Sequence, residues 1–338
     1  MKRNTRFTQA TRTVSATLLT SCLLVAGAYS GGAQSPPTVA QAPPAQIHTL
    51  KITVLSTNLA EAGFGEWGFS ALVEADGHRI LLDTGAHPDT VLQNARDLEI
   101  DLSNVKEVIL THNHSDHVGG LIALRKEMMK KDPSALSQVH VAQGIFYSRP
   151  SPEGEGNDMI ALKKEYEATG GKFIEHSEGY ELFPGAWMTG PVPRSHPEGN
   201  YPEGGKVLTP AGLVDDTIPE DQSLVVNTSQ GLVVVTGCGH AGIINILTSA
   251  RSKFPDEPVH AVVGGLHLFP ATDAQLDWTA DKLKEFKLTN LMGTHCTGLE
   301  AVYHIRGRLK LPRSAAVVGG VGSTFVLGEG IHPGPLAR

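Results

Sequence analysis

Residues 105–120 constrain this chain more than any other stretch. Val105 to Leu110 reads as a short strand buried on both faces. It runs directly into Thr111-His112-Asn113-His114-Ser115-Asp116-His117-Val118-Gly119-Gly120, which places three imidazoles and a carboxylate within six residues. Side chains two apart on an extended chain point the same way, so His112 and His114 project together, while Asp116 and His117 follow in the turn within reach of a second ion. Gly119-Gly120 opens a helix expected from Leu121. A solvated polar loop would not need a buried strand on one side and a helix start on the other. Imidazole is the commonest metal ligand, and the chain carries 15 histidines.

Two more strand ends carry candidate ligands. Val233-Val234-Val235-Thr236 leads into Gly237-Cys238-Gly239-His240, and with His112 and His114 the His240 imidazole makes a three-His site that leaves a fourth position open for water. Leu291-Met292-Gly293-Thr294 leads to His295, which would hold a second ion with Asp116 and His117. Asp83 closes the strand from Arg79 ahead of Thr84-Gly85. It is placed to take the far N–H of a ligating imidazole, or to cap its own turn.

These segments resemble the metallo-β-lactamase superfamily, whose signature is His-x-His-x-Asp-His after a buried strand. Within it, Trp67-Gly68-Phe69-Ser70, Leu82-Asp83-Thr84-Gly85, Asp221-Gln222-Ser223-Leu224, Thr236-Gly237-Cys238-Gly239-His240-Ala241-Gly242, Gly264-Gly265-Leu266-His267-Leu268 and Thr294-His295-Cys296-Thr297-Gly298 resemble the subgroup of the archaeal dihydropterin-methyl-ribofuranosylaminobenzene-phosphate synthase. The resemblance implies an α/β four-layer αββα sandwich over residues 47–338, with two divalent ions at one edge, zinc first and iron or manganese as alternatives. One position departs from the pattern. Where a bridging Asp is expected, the strand Val259 to Val263 ends in Gly264-Gly265-Leu266-His267. Either His267 faces the metals as a ligand or substrate contact, or the second ion has fewer protein ligands. Cys238 and Cys296 flank the ligands and read as buried packing residues, a disulfide, or thiolate ligands.

The N-terminus bears on partners and location. Lys2, Arg3, Arg6 and Arg12 precede an apolar run from Val14 to Ala28, which reads as an export signal over residues 1–33 for a periplasmic or secreted protein. Acylation at Cys22 is the alternative. Residues 34–46 are a Pro/Ala/Gln-rich linker. Removing 1–33 lowers the 28 basic residues to 24 against 35 acidic ones, a charge of −11. That repels phosphate backbones and argues against a nucleic-acid partner. Once the signal is removed, no stretch of the chain is expected to insert stably in a membrane.

The chemistry implied is hydrolysis of an ester, lactone, amide or phosphoester bond in a small molecule, by a water that the ions acidify and Asp116 orients. A pterin-type transferase and a non-catalytic metal-binding protein are the other readings. Arg194 and His196, in the Pro/Gly-rich loop from Gly190 to Tyr201, and Trp67 are candidate substrate contacts. Arg125, Lys126, Lys130 and Lys131 read as a solvated helix face.

Overall fold

The computed structural model describes residues 44–334, without Pro202 and Asp256. The export-signal segment, Cys22 and most of the linker lie outside the described residues.

Alternation along the central strands sets the architecture. In Gly231–Thr236, Val233 and Val235 face one apolar core while Leu232 and Val234 face another. In His78–Leu82, Ile80 and Leu82 share the first of these cores, and Leu81 turns into a third. A strand with both faces buried needs layers on both sides, so two sheets stack face to face and each carries helices on its outer face. The first sheet runs in the order 330–332, 324–326, 50–56, 70–75, 78–82, 107–109, 138–142 and 172–176. The second runs 316–318, 290–293, 259–264, 231–236, 224–228, 186–188 and 180–183. Helices Thr90–Asp97, Leu121–Met128 and Met159–Glu167 cover the first sheet. Helices Ile243–Lys253, Asp273–Glu285 and Leu299–Leu309 cover the second. This is the four-layer αββα sandwich that the motifs imply.

Parallel strands place the site. Strands 78–82, 107–109 and 138–142 run parallel in the first sheet, as do 231–236, 259–264, 290–293 and 316–318 in the second. Their carboxyl ends release Asp83, His112, His240, His267 and His295 into loops at one edge between the sheets, the usual position of ligand sites in such folds. Asp116 and His117 lie in a one-turn helix, Ser115–Val118, where the sequence suggests a turn.

Arg125 departs from the solvated-face reading. It is 2% exposed, and its guanidinium donates to the carbonyls of Pro133 (2.8 Å) and Thr169 (3.2 Å). The periodicity that exposes Lys126 also turns Arg125 inward, where it satisfies carbonyls of the connections into strands 138–142 and 172–176. Among the described residues no helix is long and apolar enough to cross a membrane.

Candidate metal centre

All six histidines singled out for the metal site converge. Ring centroids are 4.7 Å apart for His112 and His114, 4.2 Å for His112 and His117, and 4.7 Å for His112 and His240. His114 lies 4.9 Å from His240, His117 5.0 Å from His295, and His240 4.5 Å from His267. His112, His117 and His240 are fully buried, His295 nearly so, and His114 and His267 partly exposed.

The hydrogen bonds decide which ring nitrogen faces inward. Asp83 Oδ2 accepts the Thr111 hydroxyl (2.8 Å) and lies 2.7 Å from His117 Nδ1. With its proton given to Asp83, the Thr111 hydroxyl accepts from His112 Nδ1 (2.9 Å). His240 Nδ1 donates to the carbonyl of Asn200. In each ring the Nδ1–H is committed, so Nε2 carries a lone pair aimed at the cluster. The Nε2 atoms of His112 and His240 are buried without a partner. An orphaned acceptor in such a place is what a metal ion would satisfy, and the donor set suits a divalent ion.

Electrostatics point the same way. Burial pushes His112 and His240 well below the ordinary imidazole range and His114 to about 4, so all three are neutral, the form that ligates. Burial alone would raise Asp116, but the His295 contact (3.2 Å to Oδ2) and the charge near His117 hold it well below the usual carboxylate range. Burial would likewise lower His295, yet the Asp116 and Cys296 contacts together outweigh it and lift the ring to about 9.

The remaining sequence candidates divide. Asp83 takes the place beneath the ligands that its turn suggests, at φ 56°, and His267 and His295 also adopt left-handed backbone at 48° and 46°. Such conformations strain an ordinary residue and are held by the surroundings at functional sites. Trp67 is half exposed and packs on His295 (4.9 Å) and Phe269 (5.5 Å), forming one wall of the cleft. That cleft, about 370 Å³, is lined by Trp67, His114, Asp116, Cys238, His267 and His295. Arg194 and His196 lie elsewhere. The Arg194 guanidinium donates to the carbonyls of His240 (2.6 Å), Thr217 and Ile218 (3.2 Å), so it steadies the His240 turn. His196 is held by Asn245 and Thr248 on helix Ile243–Lys253.

Cys238, whose role the sequence left open between packing, disulfide and ligand, and two acidic residues to which it assigned no role also meet the cluster. Cys238 Sγ lies 3.1 Å from His117 Nε2 and 3.2 Å from Cys296 Sγ, with both cysteines free thiols. Glu220, clasped by Arg149 at 2.8 and 2.9 Å, accepts the main-chain N–H of Asn113 between His112 and His114. Asp221 accepts the N–H of Ala241 beside His240. The acidic pair Glu220-Asp221 at the edge of an otherwise apolar segment is the signal that would have flagged the last two.

Known proteins are similar to this chain in differing degrees. The family model for the metallo-beta-lactamase superfamily matches residues 68–131. A relative from Methanocaldococcus jannaschii, named 7,8-dihydropterin-6-methyl-4-(beta-D-ribofuranosyl)-aminobenzene-5'-phosphate synthase, is 28% identical over 267 residues, 76% of this chain and 90% of its own length. The crystal structure of a metal-dependent hydrolase of the beta-lactamase superfamily is 30% identical, covers 78% of this chain and 94% of its own, and superimposes with a TM-score of 0.62.

Proposed function

The chain belongs to the metallo-beta-lactamase superfamily, and from that premise we propose that it is a hydrolase holding two divalent ions, zinc first, that opens an ester, lactone, amide or phosphoester bond of a small molecule. One observation carries the reading: the unpartnered Nε2 atoms of His112 and His240 inside a buried cluster of imidazoles that opens on a cleft. His112, His114 and His240 would hold one ion, and Asp116, His117 and His295 the other, with His267 at the rim. Bound there, the ions supply an acidified water as nucleophile and a Lewis acid for the oxygen under attack. The rest is the work of the chain. Asp116, ionised and partly open to the cleft, accepts a hydrogen bond from the attacking water and orients it. Trp67 and Phe269 wall off one side and reduce competition from bulk water. Asp83 and Thr111 keep the tautomers of His117 and His112 fixed through turnover.

The similarity to the M. jannaschii synthase, which spans most of both chains, favours a second reading, transfer to or from a pterin. The export-signal reading supports hydrolysis over it, because a soluble biosynthetic intermediate belongs on the cytoplasmic side. On our reading residues 1–33 are removed on export, 34–46 are a linker ahead of the domain, and the net charge of −11 keeps nucleic acids away. Elemental analysis of protein purified without chelator tests the site, with about two metals per chain expected; none would end the proposal. A panel of lactone, phosphodiester, β-lactam and pterin compounds at fixed metal separates the two chemistries. Turnover of the pterin alone would replace hydrolysis with the second reading.

A further inference from the structure

We propose that the Cys238 thiolate is the ligand shared by the two half-sites, standing where the superfamily pattern has a bridging carboxylate. This rests on the two-ion reading above. Cys238 Sγ lies within 4.8 Å of the ligand nitrogens of His112 and His240, and equally of those of His117 and His295. No other side chain among the described residues belongs to both groups. A thiolate about 2.3 Å from each of two zinc ions spans a separation of about 3.5–4 Å, the usual spacing of paired catalytic metals. The position is one that a small packing residue does not need. Sγ faces the Nε2 of His117 at 3.1 Å rather than an apolar neighbour, and the orphaned Nε2 atoms of His112 and His240 point into the same space.

A second observation explains why the carboxylate is missing. Gly264 sits at φ 124°, and a Cβ on it would lie 2.0 Å from the carbonyl oxygen of Thr236. A Cβ on Gly265 would lie 2.2 Å from the carbonyl oxygen of Gly237 and 2.8 Å from Cys296 Sγ. Neither position accepts an Asp, because Thr236 stands against the first, and the Gly237 carbonyl and the Cys296 thiol stand against the second. Cys296 Sγ is 3.2 Å from Cys238 Sγ, so the two sulfurs share the space at this strand end. On metal binding the Cys238 S–H bond breaks, its proton leaves to solvent, and the sulfur lone pairs bind the ions.

Cobalt(II) titration of the full chain in reducing buffer tests this, with thiolate-to-cobalt charge-transfer absorption and bound metal read together. The band is expected to appear and to grow through the second equivalent. In Cys238→Ser it is lost, and metal binding weakens by about tenfold or more. In the Cys22→Ser, Cys296→Ser double variant, where Cys238 is the last thiol, it persists, so the test survives even if Cys238→Ser does not fold. Two cobalt ions bound by the unaltered chain without the band, or a band lost from the double variant, would overturn the shared thiolate and leave the two-ion reading standing. No cobalt bound at all would overturn both.

Discussion

Asp83 Oδ2 lies 2.7 Å from His117 Nδ1 in a fully buried setting, and the same carboxylate accepts both the main-chain N–H and the hydroxyl of Thr111 at 2.8 Å. Through Thr111 it also reaches His112 Nδ1, 2.9 Å beyond. One acidic residue therefore sets the tautomers of two imidazoles of the cluster, which the proposed function assigns to different ions. Its left-handed backbone, φ 56°, is what aims the side chain beneath both.

Replacing that carboxylate by an amide breaks the arrangement without changing its size. In Asp83→Asn one oxygen remains for three donors, so at least one of His117 and Thr111 loses its acceptor. Metal affinity is expected to fall about 10–100-fold, and stability by about 1–3 kcal/mol from the buried unpaired donors. Chelator competition and urea unfolding measure the two. Thr111→Val should share the metal defect in weaker form, since it frees His112 alone. Unchanged affinity in both would show that the tautomers are set some other way.

Arg194 offers a test of whether its cation serves the substrate or the fold. Its donors end on the carbonyls of His240, Thr217 and Ile218, which a lysine ammonium cannot span in the same fork. Arg194→Lys is therefore expected to weaken metal binding, measured by the same competition, because the His240 turn loosens. An anion-binding role predicts the opposite pattern, with full metal affinity and a raised KM only for anionic substrates.

Much of the fold and of the candidate cluster was legible because strand ends and imidazoles leave local marks. The alternation of Val233 and Val235 against Leu232 and Val234 announces a strand with two covered faces, and a histidine beyond a glycine-rich strand end announces a cleft. What local pattern cannot express is long-range company. Arg194 stands 46 positions from the His240 carbonyl that it holds, and Arg149 stands 71 from Glu220. A cation in a Pro/Gly-rich loop looks the same whether it meets a substrate or a buried carbonyl. Cys238 was equally ambiguous, since packing, disulfide and ligand roles call for the same residue until Sγ is placed 3.1 Å from His117 Nε2.

A pH effect is expected far from the centre. His176 stacks on Tyr180, with ring centroids 3.3 Å apart, and its Nε2 lies 3.1 Å from His140 Nδ1, whose other nitrogen contacts Glu107 at 2.7 Å. Burial, with repulsion from His140 added, lowers its pKa to about 4. Below the ordinary imidazole pKa of about 6.5 the unfolded chain takes up a proton that the folded chain refuses until pH 4. The stability that His176 contributes is thus complete above pH 6.5 and is lost as the pH falls through that window. His176→Phe keeps the stacking surface and cannot titrate, so its melting temperature should gain on the unaltered protein between pH 6.5 and 4. A constant gap across that range would remove His176 as the cause.

Gly265 makes a clean probe of the space beside the Cys296 thiol. A methyl group there meets a backbone carbonyl oxygen at 2.2 Å, and backbone cannot swing aside as the end of a flexible side chain can. Gly265→Ala should therefore lower the stability of the metal-free chain by about 1–3 kcal/mol in urea unfolding. It should also displace Cys296 from Cys238 and weaken metal binding. Gly307 supplies the control, because it lies within helix Leu299–Leu309 and a Cβ there meets nothing within 4 Å. Gly307→Ala is expected to raise stability by about 0.5–1 kcal/mol through helix propensity alone, with metal affinity unchanged. The two substitutions add the same methyl group. A difference in sign between them isolates the collision at the strand end from any general effect of removing a glycine, and matching behaviour would mean that the end of strand 259–264 has room for the side chain that it lacks.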